Sequence, residues 1–474
     1  MSSEYAKVGM KSGIEIHQQL EGTKLFSRSP TEIRRDKADY EIVRRLRATT
    51  GEAGKVDKAA EHEQKKAKSF KYQGYNEGTS LVELDEEPPQ LLNQDALNAA
   101  LQVARMLNCT IVDQVHIMRK IVVDGSNTSG FQRTMLIGMN GHVTVNEKRI
   151  GIESVCLEEE SCQAIQRTAT EDTYNLSRLG IPLLEIATAP DIKTPIEAQE
   201  CAAFLGMVLR STGACKRGIG SIRQDLNMSI KGGNRIEIKG FQDLRSIPKV
   251  LDNEIARQIE VLKSGQKIES HVRKAEPDGS TSFLRPMPGA ARMYPETDVP
   301  TFIPDIKHIT TPKLMTEEAN ELEEMGISKD IAAIITKKEI PIREILAKYP
   351  SVDPGFIAEV LVSFPKELKR RYDVQVEDML SLAAEPLQKL DAGKITKEAV
   401  IEVIALKAQG KNVNWSSFEP LDSKAVDNIV KTIVDNNPGA PTGMLMGIAM
   451  KELRGKVDGK KVMDLLQKYS SKRK

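Results

Sequence analysis

Acidic residues from three separated stretches, with one histidine, have the types and spacing of a cation site. In Gly13 to Leu20, GIEIHQQL, strand alternation places Ile14 and Ile16 on one side and Glu15, His17 and Gln19 on the other. A carboxylate and an imidazole two residues apart on a strand point the same way and can share one cation. A polar face on a surface strand has the same spacing, so the pair alone decides nothing. A further acid, Glu185, stands in the apolar run Pro182-Leu-Leu-Glu-Ile-Ala, where a lone carboxylate is costly to bury unless a cation or donors meet it. The third source is Glu158-Glu159-Glu160, at the end of an alternating strand, Arg149 to Leu157; such a triplet is either solvated or presents one carboxylate to a site. Carboxylates gathered from these stretches require a divalent ion, because like charges at short range otherwise protonate one of the group. Magnesium is the ordinary guest of carboxylates, and the histidine also suits manganese or zinc.

Cations suited to phosphate oxygens lie in other stretches. Arg119 and Lys120 fall within a strand from Val115 to Val123, and Arg223 and Lys239 share one face of a hairpin with Asp225 and Glu237. That face is either a wet side of an antiparallel sheet or, if the sheet curls, the lining of a phosphate- and metal-binding cradle. A metal beside such cations is what phosphoryl transfer requires. Gly51-Glu-Ala-Gly-Lys55-Val imitates a phosphate loop, but its glycine spacing is wrong and Val56 stands where Ser or Thr should be. No kinase signature is present either, so a nucleotide site here is of a less common kind, and with no GxSxG and no cysteine beside an obvious base, nucleophilic catalysis is not expected.

The elements that position these groups follow from pattern. A charged helical piece is expected from Glu41 to about Lys68, and Leu97, Ala100, Leu101 and Ala104 mark an amphipathic helix over Asn93 to Leu107. Thr194-Pro-Ile-Glu197 opens a helix that runs to Gly213, and another spans Val250 to Lys263. Ser264 to Ser282 reads as a polar linker, and Arg285 to Glu296 as an irregular proline-rich loop of the kind that serves function. From Thr316 onward the pattern is helical, with a glycine strip at Gly443 and Gly447 that fits close helix packing. The expected fold is α+β: a catalytic domain over 1–312 with an antiparallel-rich mixed sheet, a helical domain over 313–395 and a helical tail over 396–474.

Composition bounds the rest. A chain of 474 residues exceeds one core, and 40% hydrophobic with 28% charged residues describes a globular protein. The balance of 68 Lys and Arg against 67 Asp and Glu gives no global attraction to nucleic acid, but Lys451 to Lys474 holds nine basic residues against Glu452, Asp458 and Asp464. Five cysteines without a CxxC pair argue against both a disulfide framework and a zinc ribbon, and fit a reducing cytoplasm. Neither a signal peptide nor an apolar run of membrane-spanning length is present, so a cytoplasmic location is expected.

Taken together, GIEIHQQL, KLFSRSP, FKYQGY, VELDEEPP, IGIESVCLEEE, YNLSRLGIPLLEIATAPD, SIRQDLNMSI, IEIKGFQDL and RPMPGAARMYPETDVP closely resemble the E subunits of archaeal Glu-tRNA(Gln) amidotransferases, relatives of the bacterial and organellar B subunits. The resemblance covers nearly the whole chain. It implies a cradle-shaped catalytic domain, a helical domain and a YqeY-like helical tail that contacts tRNA. It also implies an activity, in which ATP phosphorylates the γ-carboxylate of glutamate mischarged on tRNA(Gln) and ammonia then displaces phosphate. A separate asparaginase-like D subunit, in a heterotetramer, is the implied source of ammonia. By motif, the metal ligands implied are Glu15, His17, Glu159 and Glu185, while Arg119, Lys120, Arg223, Asp225 and Lys239 are assigned to the ATP and acyl-phosphate pocket.

One departure from that pattern stands out. Archaeal E subunits carry a domain similar to an insertion of bacterial aspartyl-tRNA synthetases after the helix that ends here near Ser264, whereas only a few residues around Gly265 to Ser270 occupy that place. An alternative reading follows, a tRNA-binding scaffold with an idle metal site, against which stands the retention of all four ligand positions.

Overall fold

The computed structural model describes all residues except 1, 48–53, 55, 57–60, 62–63, 242, 288–292, 454–455, 458 and 472–474. Most of Gly51 to Val56, the centre of the proline-rich loop and part of the basic C-terminal end therefore lie outside the described residues. The chain divides into two compact units, Met1–Lys313 and Leu314–Lys474.

In the first unit the strands are β1 (Lys11–Gln19), β2 (Tyr40–Arg44), β3 (Ser69–Gly74), β4 (Thr110–Ile111), β5 (Ile117–Ile121), β6 (Phe131–Val145), β7 (Lys148–Glu159) and β8 (Gln163–Arg167). They continue with β9 (Glu171–Asn175), β10 (Pro182–Thr188), β11 (Ile222–Ser229), β12 (Ile236–Phe241), β13 (His271–Ala275), β14 (Thr281–Pro286) and β15 (Met293–Pro295). Among the described residues the main sheet has 11 strands in the order β14-β13-β12-β11-β1-β10-β7-β6-β5-β15, with β4 on β6. All its pairs are antiparallel except β12 with β13. A smaller sheet, β2-β3-β9-β8, stands apart from it. The charged piece expected to be helical from Glu41 thus begins as a strand, because Ile42 and Val43 favour a pleated surface and pair with Tyr72 and Lys71. The stretch expected to be a linker holds β13 and the start of β14.

Chain length forces the main sheet to curl. Its two edge strands are consecutive, and the seven Cα-to-Cα steps from Pro286 to Met293 reach at most about 25 Å. Ten strands laid flat would separate those edges by about 43 Å. One face of the curled sheet is covered by helices: Pro195–Ser211 packs on β1 and β6, and Gln94–Met106 on β6 and β7. Ile14, Ile16, Leu184, Ile186, Leu226 and Met228 are buried on this face. Alternation then leaves Glu15, His17, Glu185, Arg223 and Asp225 on the other.

The second unit is helical. A first core gathers residues from Leu322 to Ala405, and a second gathers residues from Val426 to Leu466. The helix Lys397–Ala408, assigned to the tail by sequence, contributes Ala399, Val400, Ile401, Ile404 and Ala405 to the first core. Among the described residues no helix is long and apolar enough to cross a membrane.

Candidate metal and phosphate site

β1 lies between β10 and β11, and register decides which side chains meet. His17 stands opposite Glu185 on β10 and Arg223 on β11, while Glu15 stands opposite Ala187 and Asp225. Directly opposite residues in antiparallel pairs share a face, so a row of ionisable groups crosses three strands. His17 Nε2 is 3.3 Å from Glu185 Oε2 and 3.4 Å from Glu15 Oε1. One ligand atom from each of the three residues lies within 4.8 Å of the other two.

The electrostatics of this trio are those of a place short of positive charge. Burial, with Glu185 close by, pushes the Glu15 carboxyl up to about 7. Burial also opposes charge on Glu185, yet the hydrogen bond from His17 and the Lys120 charge hold it down at about 2. On His17 burial disfavours the imidazolium, but the hydrogen bond and charge of Glu185, with the Glu15 charge, outweigh it and raise the ring above its ordinary value. Two half-buried carboxylates on one imidazole fit a divalent cation, and oxygen with nitrogen donors suits magnesium, manganese or zinc.

The acidic run does not place Glu159 here. Glu158 pairs with Leu183 in the register that pairs Glu185 with Cys156, so Glu158 shares the face of the trio and Glu159 points to the opposite face. Glu158 accepts hydrogen bonds from Lys120 Nζ and Thr134 Oγ1, each at 2.6 Å, and from Gln132 Nε2 at 3.0 Å. Burial and the Glu185 charge push its carboxyl up, against the pull of Lys120. Glu159 instead accepts from the Arg133 backbone N–H at 3.0 Å and from Arg133 Nη1 at 3.2 Å. The reason is a bulge: Ala187 pairs with Ser154 but Thr188 with Ile152, so Glu153 is an extra residue that reverses the alternation. A trace of it is legible in the sequence, where buried apolar positions jump from Ile150 and Ile152 to Val155 and Leu157.

Among the assigned phosphate cations, Arg119 is likewise on the opposite face, bonded to Glu296 Oε1 at 2.5 Å and Asp298 Oδ2 at 3.1 Å. Lys120, its neighbour on β5, faces the trio and lies 4.0 Å from Glu185 Oε2. Arg223 is held by Glu160 Oε1 at 3.1 Å. Lys239 sits between Asp225 Oδ2 at 2.6 Å and Glu237 Oε1 at 2.5 Å. Lys120, Arg223, Asp225 and Lys239 are therefore brought to the face of the trio, each fixed by an opposite charge. The groups that sequence reasoning passed over are Glu158 as the front-facing member of its run, and Arg133 and Glu296 behind it.

A family model described as the GatB/GatE catalytic domain matches residues 10–310, the span that holds every residue of this site. The chain belongs to the GatB/GatE family. It is 34% identical over 627 aligned residues to the glutamyl-tRNA(Gln) amidotransferase E subunit of Methanocaldococcus jannaschii, covering 99% of each chain. The proteins of the same name from Methanococcus vannielii and Archaeoglobus fulgidus are 35% and 34% identical, each with 98% of both chains covered. The alignment to the first of these GatB/GatE relatives spans 627 positions against 474 residues here, so about 150 positions of the relative have no counterpart.

Proposed function

We propose that this chain is the subunit of a tRNA-dependent amidotransferase that activates glutamate mischarged on tRNA(Gln) with ATP and converts it to the amide. The observation that carries the reading is the convergence of Glu15, His17 and Glu185 on one point, beside Lys120, Arg223 and Lys239, within the family-matched span. The shared name of the archaeal relatives supports the amidotransferase over an idle scaffold.

In this reading the γ-carboxylate oxygen of the esterified glutamate attacks the γ-phosphorus of ATP, and ADP leaves. Ammonia then attacks the acyl carbon, phosphate leaves with the bonding pair, and the nitrogen gives up one proton to the departing phosphate or to water. Lys120, Arg223 and Lys239 orient phosphate oxygens and offset charge on them. A divalent cation held by Glu15, His17 and Glu185, with Glu158 at its side, would withdraw charge from the transferring phosphoryl group. The chain's own thiols do not supply an amidase nucleophile: burial pushes Cys109 and Cys215 up to about 11 and Cys162 and Cys201 to about 12, and burial with the Glu185 charge also pushes Cys156 up. As the resemblance to archaeal E subunits implies, ammonia comes from a separate asparaginase-like glutaminase subunit, in a cytoplasmic heterotetramer. We place the relatives' additional segment at Ser264 to Ser270, the loop between the helix Ile247–Lys263 and β13, where its loss leaves the sheet unbroken and removes a tRNA-contacting surface.

The test is to incubate the chain with Glu-tRNA(Gln) and γ-labelled ATP without an ammonia donor. Label trapped on the aminoacyl-tRNA, and released on adding ammonia as the amide forms, is the expected result. ATP turnover that ignores the aminoacyl-tRNA would overturn the reading.

A further inference from the structure

The sheet carries two ionic clusters back to back on β5, β6 and β7. On the front, Lys120, Gln132 and Thr134 all bond Glu158. Behind them, the chain neighbours of these residues, Arg119, Arg133 and Glu159, form a second cluster. Arg133 spans it, with Nε on Glu296 Oε2 at 2.6 Å and Nη1 on Glu159 Oε1 at 3.2 Å. Glu296 is fully buried and also accepts from Arg119 Nη2 and from the backbone N–H groups of Thr297 and Asp298 at 2.8 and 2.9 Å. The Phe131 ring lies under both guanidinium groups, with its centroid 4.6 Å from Arg119 and 5.1 Å from Arg133.

We propose that Arg133, Glu159 and Glu296 are positioning residues that act through the sheet on Glu158 and Lys120. The proposal rests on the reading of the front face as the metal and nucleotide site. Its physical basis is alternation. Glu158 comes soon after a bulge, and a one-residue change of register there, which rotates every following side chain to the other face, would turn Glu159 forward and Glu158 away from Lys120. The Arg133 backbone N–H and guanidinium both hold the Glu159 carboxylate, which fixes that rotation from behind. Glu296, whose own backbone N–H donates to the Ile117 carbonyl at 2.9 Å, ties the same guanidinium to β5 and so sets the two strands that carry Glu158 and Lys120 against each other. A buried ion-pair cluster is a costly way to gain stability alone, and its stronger use is to select one geometry.

The test compares Glu159→Gln and Glu296→Gln with the front-face variant Glu158→Gln and with Glu254→Gln, in the full chain with its partner subunit. Glu254 is an equally buried hub, bonded to Arg257, Gln258 and Thr281, on the helix Ile247–Lys263. Binding of Mn2+ is read by electron paramagnetic resonance, ATP by the split between KM and kcat, and stability by thermal melting. Positioning predicts a Kd for Mn2+ weakened about tenfold in Glu159→Gln and Glu296→Gln, with ATP KM raised. Glu254→Gln should lower the melting temperature while Kd and KM stay at their original values. If the back-face variants lose only melting temperature, as Glu254→Gln does, the positioning role is overturned. If Glu158→Gln also leaves Mn2+ and ATP binding unchanged, the front-face reading itself fails. Should Glu159→Gln not fold, Glu159→Asp, which keeps the charge and shortens the reach, must show the same weakened Kd or the proposal falls.

Discussion

His17 lies across the β1–β10 pair from Glu185, 3.3 Å from its carboxylate, and the two are separated in sequence by more than half of the first unit. The ring sits between two acids, and the strain this produces falls on Glu15, whose carboxyl is pushed up to about 7 while that of Glu185 is held at about 2.

Replacing Glu15 by Gln should therefore stabilise the metal-free protein while weakening its affinity for metal. A carboxyl raised from 4.5 to about 7 holds its proton more tightly in the folded state, so stability falls as pH rises between those values and the loss is complete above pH 7. The variant should gain about 1–2 kcal/mol at pH 8 with a chelator present, and nothing at pH 4, where both states are protonated. Urea melts at the two pH values check this, and an unchanged midpoint at pH 8 would contradict it.

Glu296 is the opposite case. Burial opposes its charge, but Arg119, the Asp298 backbone N–H and Arg133 hold its carboxyl down at about 2. Its contribution is complete above pH 4.5 and fades as pH falls towards 2. Glu296→Gln should cost about 3 kcal/mol at neutral pH, since it removes the charge shared by the buried Arg133 and the half-buried Arg119 and leaves each with one acid, Glu159 and Asp298, and should flatten the acid limb of the stability curve. Denaturant titrations between neutral and acid pH measure both effects.

Lys239 bridges Asp225 and Glu237, so Lys239→Met leaves two carboxylates facing each other. Stability should drop by about 2–3 kcal/mol and ATP KM should rise. Adding Asp225→Asn should recover most of the stability and none of the affinity. Recovery of both would show that Lys239 serves the acids alone.

The last three helices have a core of their own, formed by residues from Val426 to Leu466. Truncation after Glu419 should leave the melting of the remaining chain close to its original temperature. Binding of Glu-tRNA(Gln) should weaken, and the slope of log K against log salt should become shallower by about 0.7–0.9 for each phosphate no longer neutralised. An unchanged slope would remove the basic C-terminal end from the tRNA-contacting surface.

Much of this site was legible before any fold was known. Alternation alone put Glu15 and His17 on one side of a strand, and did the same for Arg223, Asp225, Glu237 and Lys239. The cost of burying Glu185 in an apolar run marked it as a residue with a partner. These inferences rest on local geometry, which a few neighbouring residues set.

What local pattern could not reach was the choice between Glu158 and Glu159, or between Lys120 and Arg119. Each pair is adjacent in the chain, alike in chemistry and opposite in direction; a single bulge at Glu153 exchanges the roles of the two glutamates, and the register of β5 on β6 decides between the two cations. Nor does any local feature announce that β1 is flanked by β10 and β11, strands more than 150 residues away. Strand order follows from how the whole sheet curls and buries its apolar face. That is a balance of long-range packing, and it decides which charged neighbour faces Glu15, His17 and Glu185 and which one lies behind the sheet.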